Sequence, residues 1–238
     1  MGLFDQPLAE VRRWLDALGP EGQARGVCPV AELPWATRPA VVLGDAVELE
    51  LGHPSVPSCS MALWGASDAV RDGRITLVGP DFTEPDGLML PLAQVVIVAG
   101  PVEDQVECSR MLREAVYGLR LEGLSTRHHP ATQRVWYRAG AEALVLGFSA
   151  AMLGSALIER CRELPFVERA EVLLVTASPE AVTGLMPAAE LGADIGAALI
   201  QMSEEMSFDC DTCDYTEVCD QIDELKALRA KLRREQRQ

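Results

Sequence analysis

The spacing of apolar residues along the chain predicts helices that alternate with strands. Apolar side chains recur at helical spacing over residues 7–18 and 103–121, which predicts a helix in each segment. Short apolar runs that end in Gly-Pro predict strands at residues 74–78 and 92–99. The second run is almost wholly apolar, which is typical of a strand that is covered on both faces.

Further elements are predicted between and after these. The other predicted strands cover residues 40–43, 47–51, 135–138 and 170–177, and the other predicted helices cover residues 141–164, 180–186, 188–206 and 217–237. We interpret residues 123–130 as a surface loop that holds His128 and His129. We expect the apolar seam of the last helix to pack against the body of the protein rather than another chain. The alternation favours an α/β or α+β fold, with a mixed sheet flanked by helices.

Composition and charge narrow the class of protein and its partners. The chain of 238 residues has a formal net charge of −15, which argues against DNA or RNA as the main partner. The chain contains no run of about eighteen apolar residues, so a membrane-spanning helix is not predicted. The N-terminus lacks the basic and apolar regions of a signal peptide. Seven cysteines at irregular spacing do not indicate a disulfide framework, so we expect a reducing, cytoplasmic compartment.

Three of the cysteines form the most specific motif in the chain. Cys210, Cys213 and Cys219 fall within ten residues, and the first two have Cys-x-x-Cys spacing. Thiolates gathered in this way suit an iron–sulfur cluster, or zinc, far better than a hard cation. We therefore predict a metal site here, and the alternative is an incidental group of cysteines.

A complete site of either kind usually has four protein ligands, and the sequence leaves the fourth one open. Cys108 and Cys161 lie within helical patterns and are interpreted as core residues. Cys28 and Cys59 lie in turn-rich stretches where a thiol could face outward, and we add Cys59 to the predicted ligands. The remaining candidates are a partner chain or one of the nearby aspartates (Asp209, Asp211, Asp214 and Asp220).

Several blocks of sequence follow one another in an order that is similar to a known family. The most specific block runs from Asp72 to Asp81 and reads Asp-Gly-Arg-Ile-Thr-Leu-Val-Gly-Pro-Asp. Leu90-Pro-Leu-Ala and the segment Trp136-Tyr-Arg138 follow it. With these blocks, residues 39–219 resemble the middle of the β subunit of the carbon monoxide dehydrogenase/acetyl-CoA synthase complex. The resemblance suggests a synthase-like α/β domain over residues 39–206. An N-terminal helix and irregular segment (1–38) would precede it, and a cysteine loop with an amphipathic helix (207–238) would follow.

The resemblance implies a role for the three cysteines. In that family the matching loop begins the ligand set of the A-cluster, a four-iron cubane bridged to a nickel pair. Cys210 and Cys213 match its Cys-x-x-Cys, and Cys219 is similar to its third cysteine with a shorter spacer. The fourth cubane cysteine and the later Cys-Gly-Cys of the nickel site have no counterpart here. We therefore expect a 4Fe-4S cluster, or zinc as the alternative, without acetyl-CoA synthase activity.

The resemblance also implies a domain that handles coenzyme A. Arg127, Arg134 and Arg138, together with Trp136, could stack a purine ring and grip phosphate groups. The interpretation that we favour is structural: an arginine-bearing edge strand with a half-buried tryptophan.

These observations lead to three functional hypotheses. The leading one is an iron–sulfur accessory or subunit protein of anaerobic one-carbon or acyl-CoA metabolism, which transfers electrons or assists assembly within a larger redox or acyl-CoA complex. The second is a non-catalytic interaction module stapled by zinc, and the third is an enzyme whose open iron acts as a Lewis acid. No Ser/His/Asp or Cys/His constellation indicates catalysis elsewhere in the sequence. Formation of a homo-oligomer is left open.

Overall fold

Two sheets with helices packed around them form the part of the chain that the computed structural model describes, which is residues 2–18, 25–28, 47–82, 89–129, 134–203 and 216–235. The strands are β1 (Arg25–Cys28), β2 (Val47–Leu51), β3 (Ser58–Trp64), β4 (Ile75–Val78), β5 (Met89–Leu90), β6 (Leu92–Ala99), β7 (Leu124–His129), β8 (Arg134–Gly140) and β9 (Arg169–Val175). The helices are α1 (Asp5–Ala17), α2 (Gln105–Tyr117), α3 (Ala141–Val145), α4 (Ala150–Arg162), α5 (Pro179–Thr183), α6 (Met186–Ser203), α7 (Thr216–Gln221) and α8 (Asp223–Glu235). The predicted fold class, with mixed sheets flanked by helices and a helix near the C-terminus, is confirmed.

The larger sheet contains the most apolar strands. Its order is β1-β4-β9-β6-β3, and it is mixed because β6 pairs parallel with β3 and antiparallel with β9. Every residue of β6 is buried, as its almost wholly apolar sequence predicts. The apolar pattern does not predict β3, because Ser58 and Ser60 interrupt it although they are only 2% and 0% exposed.

The smaller sheet has the order β5-β2-β8-β7 and packs beside β3, where the Ser58 hydroxyl donates to the Val135 carbonyl at 2.9 Å. Two predictions are wrong here. Residues 124–129 form strand β7 instead of a loop, and β8 lies between β2 and β7 instead of at an edge. The backbone of β7 pairs with β8 along its whole length, from Leu124 opposite Ala139 to His129 opposite Arg134. This pairing overrides the weak strand propensity of its polar residues.

The single helix predicted over residues 141–164 is two helices, α3 and α4. Between them Gly147 has a φ of 85°, a left-handed conformation that suits glycine. The Ser149 side chain then accepts a hydrogen bond from the Met152 N–H and starts α4 as its N-cap. Gly147 and Ser149 therefore separate the two helices, and a search for apolar residues alone does not detect either of them.

The helices at both ends of the described chain pack on the body of the protein. In front of α1, the Phe4 ring meets the Trp64 ring edge-on, with centroids 4.6 Å apart. Near the start of α8, Ile222 and Leu225 are 4% and 0% exposed. The prediction that the last helix packs against the same chain is confirmed for these residues.

Some predictions concern residues that the structure does not describe. The strand predicted at residues 40–43 lies outside the described residues, as do the predicted boundaries near 38 and 206. Among the described residues, no helix combines the length and the apolar character that crossing a membrane would require.

Candidate functional site

Most of the predicted metal ligands fall outside the described residues. This is the case for Cys210 and Cys213, and for Cys219 the structure gives only a backbone position within α7. The predicted loop lies between α6, which ends at Ser203, and α7, which leads into α8. Within the described ranges, no group of three or more His, Cys, Asp or Glu residues could hold a metal ion. The site at the three cysteines therefore stays a prediction.

Cys59 does not face outward, and that expectation is wrong. It lies in β3, is 2% exposed, and its Sγ is 4.0 Å from the Val182 carbonyl oxygen. Burial raises the pKa of the Cys59 thiol to about 12, so a thiolate ligand is costly to form there. Cys108 and Cys161 are buried, which confirms that they are core residues. Cys28 ends strand β1 and does not lie in a turn.

One face of the smaller sheet brings together the predicted arginines and tryptophan. We call Arg127, Arg134, Trp136 and Arg138 the arginine–tryptophan face. The three members on β8 alternate along the strand and so share one side of it, and the strand register places Arg127 opposite Trp136. The Arg127 and Arg138 guanidinium carbons lie 5.2 and 5.5 Å from the Trp136 ring centroid, within cation–π range. The indole Nε1 of Trp136 is buried and has no hydrogen-bond partner among the described residues.

Two of the three arginines on this face already contact acceptor groups of the protein. Arg138 Nε lies 3.3 Å from Oε1 of Glu50, which is 7% exposed. Arg134 Nη2 donates to the Val56 carbonyl oxygen at 2.5 Å and so holds the turn between β2 and β3. Arg127 is exposed and forms no ion pair with a described residue. Arg127 is therefore the guanidinium of this face that is best placed to meet a ligand.

A series of polar contacts between Ser55, His53 and Glu50 lies beside this face and was not expected from the sequence. Ser55 Oγ is 2.6 Å from His53 Nδ1, and His53 Nε2 is 3.5 Å from Glu50 Oε2. The arrangement is similar to a hydrolytic triad. However, the Ser55 N–H donates to the same His53 nitrogen, and the Val56 N–H donates to the His53 carbonyl, so neither is free to stabilise an oxyanion. We interpret the series as a turn that holds the His53 ring 5.2 Å from Trp136.

The signal that could have revealed this series is local. The sequence His-Pro-Ser is separated by one residue from a strand that carries a glutamate, and the three side chains lie within six residues. A histidine side chain that accepts hydrogen bonds from a residue two positions further on is a turn feature, which makes a structural role the simpler interpretation.

A buried layer of polar side chains connects the two sheets. The Tyr137 hydroxyl donates to Gln94 Oε1 at 2.6 Å, and burial raises the pKa of Tyr137. The Tyr117 ring stacks on His128 with centroids 3.7 Å apart. Burial, followed by the nearby Arg113 cation, lowers the pKa of His128 to about 4, so this imidazole is neutral at neutral pH. Several polar atoms of this layer have no hydrogen-bond partner among the described residues (Ser60 Oγ, Gln94 Nε2, Thr126 Oγ1 and His128 Nε2).

Comparison with known proteins identifies similar sequences. Residues 41–182 match the family model described as "CO dehydrogenase/acetyl-CoA synthase complex beta subunit". The chain is 29% identical over 132 residues to "Acetyl-CoA decarbonylase/synthase complex subunit beta" of Archaeoglobus fulgidus. This aligned region covers 54% of this chain and 25% of that protein. It is 25% identical over 169 residues to "Acetyl-CoA decarbonylase/synthase complex subunit beta 2" of Methanosarcina thermophila. That aligned region covers 68% of this chain and 35% of that protein. The matches thus span a quarter to about a third of the length of these relatives.

The matched region has a definite place in the fold. It begins before β2 and ends within α5, so it includes the arginine–tryptophan face and most of both sheets. The cysteines at 210, 213 and 219 follow it.

Proposed function

Because the chain belongs to the CO dehydrogenase/acetyl-CoA synthase complex beta subunit family, we propose that it is an iron–sulfur subunit or accessory protein of such a complex. It would act in electron transfer or complex assembly in anaerobic one-carbon or acyl-CoA metabolism. The observation that carries the proposal is the motif of Cys210, Cys213 and Cys219 in a member of this family. Both relatives are named as subunits of an acetyl-CoA decarbonylase/synthase complex, which supports protein partners.

The donor set fits a four-iron cluster in its chemistry. Cys210, Cys213 and Cys219 offer three thiolates, the ligands that such clusters take in proteins. A bound cluster would supply one-electron transfer. The acidic residues of the motif add negative charge near it, which favours a low reduction potential. They are Asp209, Asp211, Asp214, Glu217 and Asp220.

The contacts of two described residues, Cys59 and Asp220, reduce the set of candidates for the fourth ligand. Cys59 is buried in the larger sheet with a raised thiol pKa, so it is the weakest of the predicted ligands. Asp220 lies 3.1 Å from Arg229 Nη1, so this carboxylate would have to leave an ion pair to reach a metal. We propose that the fourth position is filled by another aspartate of the loop or by an exogenous ligand.

We further propose that this stretch of chain does not condense methyl and carbonyl groups. Its 238 residues contain no Cys-x-Cys pair of the kind that would hold a nickel ion. The relatives are three to four times longer than the regions they share with it. Activities of those whole proteins are therefore not transferred to this sequence.

Metal and sulfide analysis of protein purified without oxygen tests the proposal. We expect about four irons and about four sulfides per chain, with a brown colour that bleaches on reduction. Cys210→Ser and Cys213→Ser should each remove most of the iron, because each deletes one thiolate. Cys161→Ser is the matched control: its thiol is 0% exposed in the core, so it should keep the iron and lose only packing stability. Equal iron in all three variants would exclude the cysteine motif as the site.

The second candidate function is a non-catalytic module in which zinc fixes the terminal helices. The same three thiolates favour it, since zinc also takes sulfur ligands and needs a fourth donor. A colourless protein with one zinc per chain would support this candidate over the iron–sulfur one. An enzyme that uses an open iron as a Lewis acid is a weaker third candidate, because it also requires a substrate site next to the loop.

The arginine–tryptophan face supports a further component of the proposal, a ligand similar to coenzyme A. Planar groups stack on guanidinium and indole surfaces, and phosphate oxygens accept bidentate hydrogen bonds from arginine. Arg127 and Trp136 would make these contacts, whereas Arg134 and Arg138 would mainly shape the face. Loss of coenzyme A binding on Trp136→Ala, with normal folding, is the expected result.

A further inference from the structure

Helix α8 packs on the body of the protein through one of its sides. Ile222, directly before α8, and Leu225 within it are 4% and 0% exposed. The Glu224 side chain accepts hydrogen bonds from the Leu3 N–H at 2.9 Å and from Gln105 Nε2 at 3.2 Å. These contacts fix the orientation of the helix on the protein, so its opposite side faces solvent in a defined way.

The side of α8 that faces solvent carries three cations. Lys226, Lys231 and Arg234 are exposed, and so are Ala227 and Ala230 between them. At about 3.6 residues per turn these positions fall on one side of the helix, and we call them the cationic face. The face is about 12 Å long from Lys226 to Arg234, at about 1.5 Å per residue. Because the alanine side chains are short, another protein surface can approach the helix closely between the charges.

The described part of the chain does not neutralise these cations. Lys226, Lys231 and Arg234 form no ion pair with a described residue, whereas exposed arginines of α2 and α4 pair with carboxylates. Those pairs are Arg110 with Glu107 and Glu114, Arg160 with Glu163, and Arg162 with Asp72. The helix macrodipole favours cations in the last turn, which accounts for Arg234 but not for Lys226, the fourth residue of the helix. The charge of the face therefore needs a further explanation.

The distribution of charge along the chain sets the cationic face apart. The last thirteen residues hold six of the 21 basic residues and one of the 36 acidic residues. The segment directly before them, residues 204–225, holds nine acidic residues and no basic residue. Such a separation of charge orients a protein during an encounter, because an acidic surface attracts the cationic end and repels the rest. An acidic partner therefore meets the cationic face first.

We propose that the cationic face binds an acidic cluster on a partner protein. Three cations over about 12 Å match a few carboxylates on one helix or loop of such a partner. Lipid recognition typically uses about four to eight clustered basic residues, and nucleic-acid binding also relies on extensive positive charge. The face offers three cations on a chain of net charge −15, which favours neither. A second copy of the chain carries the same net charge and would be repelled as a whole.

The position of the face connects it to the proposed metal site. Cys219 lies in α7, which ends at Gln221, two residues before α8 begins. A partner held on α8 would therefore lie near one of the predicted ligands, which suits electron transfer or complex assembly. This connection rests on the proposed function, whereas the binding of an acidic partner does not.

Fluorescence anisotropy of a dye-labelled octaglutamate peptide, titrated with the full chain, tests the proposal. At about 50 mM salt we expect saturable binding that weakens as the salt concentration rises, because exposed charges are screened. Lys226→Glu/Lys231→Glu should weaken binding about tenfold or more, since two attractions become repulsions. Arg13→Glu/Arg120→Glu is the matched control, because both arginines are exposed, lie outside α8 and change the net charge equally. It should change the affinity by less than about threefold, since screened charges away from the face contribute little. Circular dichroism checks that both variants fold.

Several results would overturn the proposal. Equal weakening by the two double variants would show that net charge alone decides, and the absence of saturable peptide binding would remove the site. Tighter binding of a DNA duplex or of phosphatidylserine vesicles, lost in the α8 variant, would assign the face to another class of partner. Sedimentation velocity that shows oligomers of the chain, dissociated in the α8 variant, would make a second copy the occupant. Peptide binding should persist in the Cys210→Ser variant while iron is lost, so failure of the metal proposal is read separately.

Discussion

The hydrogen bond between Tyr137 and Gln94 joins the two sheets through the core and offers the sharpest test of how they are held together. Tyr137 lies on β8 and Gln94 on β6, and both residues are 0% exposed. The phenol donates to Gln94 Oε1 at 2.6 Å, while Gln94 Nε2 has no partner among the described residues. Tyr137→Phe keeps the ring and removes only the donor, so it isolates this bond from the packing around it.

The structure sets the size of the expected effect. A buried hydrogen bond contributes about 0.5–1.5 kcal/mol, and a buried acceptor that is left without a partner costs about 1–3 kcal/mol. In the Tyr137→Phe variant Gln94 Oε1 stays at a buried position and loses its donor, so both losses apply in part. We expect the free energy of unfolding to fall by about 2 kcal/mol.

Urea unfolding of a double-mutant cycle measures this coupling. Gln94→Leu alone leaves the Tyr137 hydroxyl without its acceptor and should be destabilising too. The double variant has neither polar group, so it should be more stable than the sum of the single losses predicts, by about 1–2 kcal/mol. Thr183→Ala removes an exposed hydrogen bond from α5 and should change stability by less than about 0.5 kcal/mol. Strict additivity in the cycle, or a Tyr137→Phe effect as small as that control, would refute the reasoning.

Two further predictions concern packing and pH. A Cβ at Gly154 of α4 would lie 2.7 Å from Ile75 Cγ2, so Gly154→Ala should lower the unfolding free energy by about 1–3 kcal/mol despite its better helix propensity; a stabilised variant in thermal unfolding would contradict this. Burial raises the thiol pKa of Cys59 and Cys161 to about 12 from an ordinary value of 9.0. Their contribution to stability is therefore complete below about pH 9 and is lost as the pH rises toward 12, so urea unfolding should show stability falling above pH 9. The fall should be less steep in the Cys59→Ser/Cys161→Ser variant, and equal slopes would argue against this assignment.

The elements that could be predicted from the sequence are those in which one local rule dominates. The β6 strand Leu92–Ala99 is apolar except for Gln94 and is buried throughout, so its pattern and its place in the sheet agree. Helix α2 combines an apolar stripe with an Asp104 side chain that accepts hydrogen bonds from the Val106 and Glu107 N–H groups. In such segments local preference and tertiary environment point the same way.

The elements that were missed depend on partners distant in sequence. Strand β3 contains Ser58, whose hydroxyl finds its acceptor on Val135, a residue of the other sheet. Strand β7 carries Arg127, His128 and His129, and nothing in that run predicts a strand until β8 lies beside it. Polar residues in a strand are tolerated when each has a specific partner or faces solvent, and those partners are not visible in a local window.

The candidate site shows the same limit in a different form. Arg134, Trp136 and Arg138 alternate along β8 and so share one side of that strand. The sequence does not predict the ion pair between Arg138 and Glu50, because that contact forms only when strand β2 pairs with β8. The sequence pattern therefore identified which side chains gather, but not which of them remain available to a ligand.

The proposed metal site at the cysteines and the proposed ligand site on the arginine–tryptophan face rest on different observations, so one can be refuted without the other. The family match ends at residue 182, so membership in the family is carried by the sheets and the arginine–tryptophan face, not by the cysteine motif. The metal proposal depends instead on the chemistry of three thiolates that lie beyond α6. A protein without iron would therefore leave the family assignment and the proposed ligand contacts of Arg127 and Trp136 unaffected. Conversely, an arginine–tryptophan face that does not bind coenzyme A would leave the metal proposal unchanged, because none of its four residues lies in the cysteine segment.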